Sequence, residues 1–108
     1  MKTGTIARIK NFTKEREWDQ FHSPVNLAKS IVIEAAELLE IFQWSENLKD
    51  VSLVKDELAD ILIYCTLLAE KCGLDIEEIV NDKITKNHEK YPVSKSKGSS
   101  KKYNEFDK

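Results

Sequence analysis

The chain lacks any large excess of charge: over 108 residues the formal net charge is −2. That excludes the electrostatic footprint of a DNA-, RNA- or anionic-membrane-binding domain, so neither a nucleic acid polymer nor a membrane is expected as a partner. Cysteine is scarce too. Cys65 and Cys72 fall in one predicted helix, two turns or about 10 Å apart, too far for a disulfide. They read as reduced core thiols, which suits a cytoplasmic protein. Histidine occurs only as His22 and His88. With no Cys/His set at ligand spacing the chain does not suit zinc, and it lacks the Glu-x-x-His motif that di-iron bundles usually carry. No apolar run of membrane length, no cleavable leader and no solenoid repeat is present, so a cytoplasmic location is expected.

What remains is ordinary in bulk and uneven in detail. A charged fraction of 33% and a hydrophobic fraction of 41% describe one modest helical domain. The five lysines from Ser94 onward outweigh Glu105 and Asp107, leaving a tail of +3 and a body of −5. An acidic body with a basic tail suits a site that binds cations and then an anion held by them.

Apolar spacing predicts an all-α fold, an antiparallel bundle of four helices. Ile6, Ile9, Phe12 and Trp18 mark a first, weakly amphipathic segment over 5–18. Ser23-Pro24 is a helix start, with Ser as cap and Pro at the first helical position, and the second helix runs to Phe42 or Trp44. A polar link, 45–50, reverses the chain into a third helix over 51–72 that Gly73 ends. Asp75 and Glu78 open a fourth, which Tyr91-Pro92 closes. Residues 1–93 thus form the helical domain, and the Ser/Lys-rich 94–108 reads as a flexible tail.

The chain is organised around Glu34-Ala35-Ala36-Glu37 and Glu57-Leu58-Ala59-Asp60. At 100° per residue, Leu27, Ile31, Leu38 and Ile41 all fall within about 60° of Glu34. On the third helix Leu53, Val54, Ile61, Tyr64 and Leu68 surround Glu57 in the same way. Glu37 and Asp60 each lie about 60° to one side of their partners, and Glu40 drifts toward solvent. An unpaired ionised carboxylate in apolar surroundings is costly, so such acids are protonated, ion-paired or bound to metal. Glu34 has no Lys or Arg at i±3 or i±4. Four oxygen donors on two antiparallel helices suit Mg2+ or Mn2+. The bland alternative is that lysines of other helices satisfy the four acids. For either pair alone that reading is preferred; for both together, metal is.

Taken singly, Trp18 and Trp44 are best read as packing residues, His22 as a cap, and Lys83, Lys90, Lys101 and Lys102 as solvated charges. The two tryptophans near helix ends beside the acids also offer π-faces for a nucleobase. The third helix is apolar on nearly every side from Leu58 to Ala69, which calls for a homo-oligomer.

With the acid quartet stand Arg16-Glu17-Trp18-Asp19-Gln20-Phe21-His22-Ser23-Pro24, Asn26-Leu27, Phe42-Gln43-Trp44, Tyr64, Asn87, Tyr91-Pro92 and the segment from Ser99 to Tyr103. Together they resemble the MazG-type all-α nucleoside triphosphate pyrophosphohydrolases, most closely their dCTP pyrophosphatase branch. The likeness spans nearly the whole chain. It weakens before about Phe12, and the link from Trp44 to Val51 is shorter than in some relatives. The resemblance implies hydrolysis of a (deoxy)nucleoside triphosphate to the monophosphate and pyrophosphate with Mg2+, Mn2+ being a substitute. Glu34, Glu37, Glu57 and Asp60 would ligate metal, with Glu37 or Glu57 taking a proton from water. Trp18, His22, Trp44 and Tyr64 would line the nucleotide pocket. Lys83, Asn87, Lys90, Tyr91 and Lys101 would complete the substrate contacts, the lysines and Asn87 toward the phosphates. It also implies a dimer or tetramer, the tetramer being favoured. Two other readings stand beside it: a non-catalytic oligomerisation or nucleotide-sensing module, and a related hydrolase of dUTP or phosphoribosyl-ATP.

Overall fold

A computed structural model describes residues 1–48 and 50–106. Among them there is no strand, and the chain divides into two compact units, Met1–Leu74 and Asp75–Lys108. No helix among the described residues is long and apolar enough to cross a membrane.

The first unit holds α1 (Thr3–Glu15), α2 (Pro24–Glu40) and α3 (Val51–Lys71). α1 buries Ile9 and Thr13, one turn apart on one face. It stops earlier than its apolar spacing suggests, because Glu17 takes a left-handed φ of 55° that breaks the helix. The chain then makes a single 3-10 turn, Trp18–Phe21, rather than continuing to Trp18 as helix. Arg16 caps the break from outside, donating to the Phe12 carbonyl at 3.1 Å with its guanidinium 3.7 Å from the Phe12 ring centre.

α2 begins as the sequence requires: the Asn26 N–H donates to Ser23 Oγ at 3.2 Å and Pro24 opens the helix. Asn26 also donates from Nδ2 to the Phe21 carbonyl at 2.9 Å, fixing the preceding turn against the helix start. α2 ends at Glu40, short of Phe42 or Trp44. There the N–H groups of Phe42 and Gln43 reach back only three residues, at 3.0 and 3.1 Å, so the last turns tighten and the helix unwinds. Asp50 caps α3, accepting from the Ser52 N–H at 2.9 Å; Lys49, also expected in the link, lies outside the described residues.

At the far end of α3 Gly73 adopts φ 67°. The Leu74 N–H donates to the Ala69 carbonyl at 2.8 Å and the Gly73 N–H to Glu70 at 3.2 Å. This is the paired closure that a left-handed glycine permits. Both cysteines are free thiols, but Cys72, expected in the core, is exposed as the C-cap of α3.

α2 and α3 run antiparallel. The His22 ring, just before α2, lies 6.3 Å from that of Tyr64 late in α3, while Glu34 and Glu37 meet the earlier Glu57. Their common core is small: Leu27, fully enclosed, packs with Ile9 and Leu67, and Met1, Tyr64 and Leu68 lean on it. Two buried hydroxyls are satisfied by their own helices, Thr66 donating to the Leu62 carbonyl at 2.7 Å and Thr13 to Lys10 at 3.0 Å. Much apolar surface is left outside this core, including Val25, Val32 and Leu39 on α2 and Leu58 and Leu62 on α3.

The second unit contains α4 (Ile76–Lys90), started by Asp75 accepting from the Glu78 N–H at 3.1 Å. After Tyr91 the chain forms a single-turn helix, α5 (Val93–Ser96), and later a 3-10 turn, Tyr103–Glu105. The Tyr91 ring meets the rings of Tyr103 at 6.2 Å and Phe106 at 5.6 Å, both edge-on.

Candidate functional site

α2 and α3 bring three of the predicted acids into one cluster. One carboxylate oxygen from each of Glu34, Glu37 and Glu57 lies within 4.8 Å of the others. Glu34 and Glu57, central to the two apolar stripes, are half-buried, whereas the offset Glu37 and Asp60 are exposed. Asp60 stands outside that 4.8 Å group, yet near enough for its charge to raise the pKa of both Glu34 and Glu57.

The two deeper acids are poorly satisfied. Glu34 Oε2 and Glu57 Oε2 are shielded from solvent and accept no hydrogen bond. Among the described residues no lysine or arginine forms an ion pair with any of the four acids. Burial, then the hydrogen bond and charge of Glu37, then the charges of Asp60 and Glu57 push Glu34 up to about 7. Glu57 is raised too, first by burial, then by Glu37 and Asp60, against a hydrogen bond to Glu34 that lowers it. Acids gathered this closely resist simultaneous ionisation unless something positive joins them. Shielded oxygens without partners, an oxygen-only donor set and, among the described residues, no ion-paired lysine or arginine together fit a hard divalent cation.

The expected nucleotide-binding residues fall in both units. His22 and Tyr64 are in edge-to-face contact, and His22 Nδ1 is shielded with no partner. His22 also lines a cleft of about 170 Å³ with Lys10, Thr13, Asp19 and Glu70. Trp18 is 43% exposed and stands edge-on to Phe12 at 5.6 Å. Trp44, in the turns after α2, is 90% exposed. Lys83, Asn87, Lys90, Tyr91 and Lys101 lie in the second unit. Lys83 and Asn87 are exposed on α4, Lys90 Nζ stands 5.1 Å over the Tyr103 ring, and the Lys101 N–H donates to Ser99 Oγ at 3.2 Å.

The profile of the MazG-like family matches residues 29–106, a span that includes all four acids. The chain belongs to the MazG-like family.

Several MazG-like relatives share most of its length. A dCTP pyrophosphatase 1 from Mus musculus is 38% identical over 104 residues, covering 88% of this chain and 61% of the relative. Its counterpart from Homo sapiens is 37% identical over the same span and shares. This MazG-like chain therefore spans about three fifths of the length of the curated relatives it matches. A pyrophosphatase from Archaeoglobus fulgidus, known from a crystal structure, superposes with a TM-score of 0.78 at 38% identity, covering 82% of this chain and 90% of that one.

Phe106 is not singled out by the sequence; its ring and that of Tyr103, which lies in the segment carrying the resemblance, stand edge-on to Tyr91. Two aromatics recurring in a Ser/Lys-rich stretch were the available signal.

Proposed function

We propose that this MazG-like protein hydrolyses a (deoxy)nucleoside triphosphate, dCTP or a close relative, to the monophosphate and pyrophosphate with Mg2+. The observation that carries the proposal is the cluster of Glu34, Glu37 and Glu57, with two shielded oxygens lacking hydrogen-bond partners and, among the described residues, no ion pair to a lysine or arginine. The kinship to proteins named dCTP pyrophosphatase 1 supports the choice of substrate.

When bound, Mg2+ supplies neutralisation of phosphate charge and lowers the pKa of a coordinated water. Glu34, Glu37 and Glu57 would hold it, Glu34 and Glu57 through their shielded oxygens, and Asp60 would add a fourth carboxylate. Glu37 or Glu57 takes the proton of the attacking water. A raised pKa makes a carboxylate a better proton acceptor, and burial and Glu37 raise that of Glu57. His22 and Tyr64 position the base from between α2 and α3, and Trp18 and Trp44 stack on it with their exposed faces. Lys83, Asn87, Lys90, Tyr91 and Lys101 are assigned to the phosphate side. Mn2+ should substitute for Mg2+, having the same taste for oxygen.

Product analysis across the four standard dNTPs, dUTP and methylated dCTP tests this reading. Pyrophosphate is expected from dCTP or its methylated form at the highest kcat/KM. Orthophosphate as the product, or saturable nucleotide binding with no Mg2+-dependent turnover, would overturn it; the latter would favour a nucleotide-sensing module.

We also infer a homo-oligomer, a tetramer in preference to a dimer. Val25, Val32 and Leu39 recur every seven residues on α2, and all three are exposed together with Leu58 and Leu62 of α3. An apolar face of this kind is the usual core of a subunit interface. Sedimentation velocity should show a tetramer, and Val32→Glu, at a position 67% exposed in the single chain, should shift it toward smaller species without unfolding. A wild-type monomer would contradict the inference.

A further inference from the structure

The stretch between Pro92 and Lys102 is a closed loop. Its ends are brought together by the contacts of Tyr91 with Tyr103 and Phe106, and Lys90 adds its ammonium to the Tyr103 ring at 5.1 Å. Edge-to-face pairs and a cation over a ring each contribute modestly, but three such contacts at one point hold a loop base against the entropy of an open chain. The loop carries Lys95, Lys97, Lys101 and Lys102, and no Asp or Glu. Lys97, Lys101 and Lys102, confined this way, repel one another, so the closed state needs an anion among them more than an open tail would.

A second observation points the same way. Ser96 Oγ, within the loop, is shielded from solvent and makes no hydrogen bond. Almost every buried hydroxyl in a folded protein has a partner, and an orphan is costly. The backbone around it is already arranged: the Ser99 N–H donates to the Ser96 carbonyl at 3.0 Å, and Gly98 between them adopts φ 75°.

We propose that the loop from Pro92 to Lys102, closed by Tyr91, Tyr103 and Phe106, is a binding site for a chain of linked phosphates. Lys97, Lys101 and Lys102 supply the charge and Ser96 a hydroxyl donor. Substrate triphosphate and pyrophosphate product share this chemistry, and choosing them as occupants rests on the hydrolysis proposed above. The binding itself does not. Spaced ammonium groups suit linked phosphates better than a single one, since each contacts its own oxygen.

The test is calorimetric titration of the full chain with inorganic tripolyphosphate in EDTA, so that the carboxylate cluster takes no part through a metal. Saturable binding is expected, weakening with salt and stronger than for orthophosphate. The triple variant Lys97→Ala/Lys101→Ala/Lys102→Ala should weaken it roughly tenfold or more, as losing charge-assisted contacts requires. Tyr103→Ala should weaken it too by opening the loop, whereas Tyr103→Phe, which keeps the ring contact, should retain wild-type affinity. With dCTP the triple variant should raise KM by a larger factor than it lowers kcat. Triple-variant affinity within twofold of wild type, no saturable binding at all, or stronger binding of a short oligoribonucleotide than of tripolyphosphate would each overturn the proposal. Intact tripolyphosphate binding in a protein that hydrolyses no nucleotide would sink the proposed reaction and leave the loop site standing.

Discussion

Glu57→Gln should reduce turnover by roughly a thousandfold, the scale of losing charge stabilisation at a reacting phosphate. The same change should raise the melting temperature of the metal-free protein. Glu57 keeps Oε2 shielded without a partner beside Glu34 and Glu37, and its pKa is raised by burial and by those neighbours. A neutral amide of nearly the same shape removes a negative charge and donates to the remaining carboxylates. Stability and activity therefore move in opposite directions, as expected where a site holds interactions that the fold alone would avoid. Steady-state kinetics and a thermal melt on one preparation check both halves. A folded Glu57→Gln protein with full turnover would remove Glu57 from the mechanism.

Metal and protons should compete for the same oxygens. Glu34 ordinarily titrates near 4.5, and burial together with the neighbouring acids pushes it up to about 7. The folded, metal-free protein thus holds a proton that the unfolded chain releases between those values. Stability is then lost as pH rises from about 4.5 to about 7, and the deficit stays constant above. Mg2+ requires the ionised carboxylate, so below pH 7 its binding must release that proton, and affinity should rise by up to about tenfold per pH unit. Melts at pH 5 and pH 8, each with EDTA and with Mg2+, measure this. Mg2+ should stabilise strongly at pH 8 and little at pH 5. Equal stabilisation at both would mean that the cation does not bind these acids.

The two central acids were legible because a helix rotates by a fixed angle. Placing Glu34 and Glu57 in the middle of apolar stripes already implied that they are the deeper pair, and their shielded Oε2 atoms agree. Glu37 and Asp60, set off by a similar angle, are exposed, as is Glu40 at the end of α2. Helix ends governed by local chemistry were equally readable: Ser23-Pro24, Asp75 and Gly73 behave as their side chains, or lack of one, demand. Ends set by backbone choices without a marker were not. Glu17 takes a left-handed conformation that no glycine announces, so α1 stops before the apolar spacing does. Nor did composition show the closed loop, because serine and lysine dominate the average while three rings determine the path. Trp44 illustrates a different limit. Its place after α2 was foreseeable, but its 90% exposure depends on what surrounds it, which periodicity does not carry.

The position at which water attacks distinguishes this reaction from other triphosphate hydrolyses. Hydrolysis of dCTP in water enriched in oxygen-18, followed by phosphorus NMR of the products, answers that directly. The carboxylate cluster acting at the α-phosphorus predicts the label in dCMP and none in pyrophosphate. Label in pyrophosphate or in released orthophosphate would contradict it.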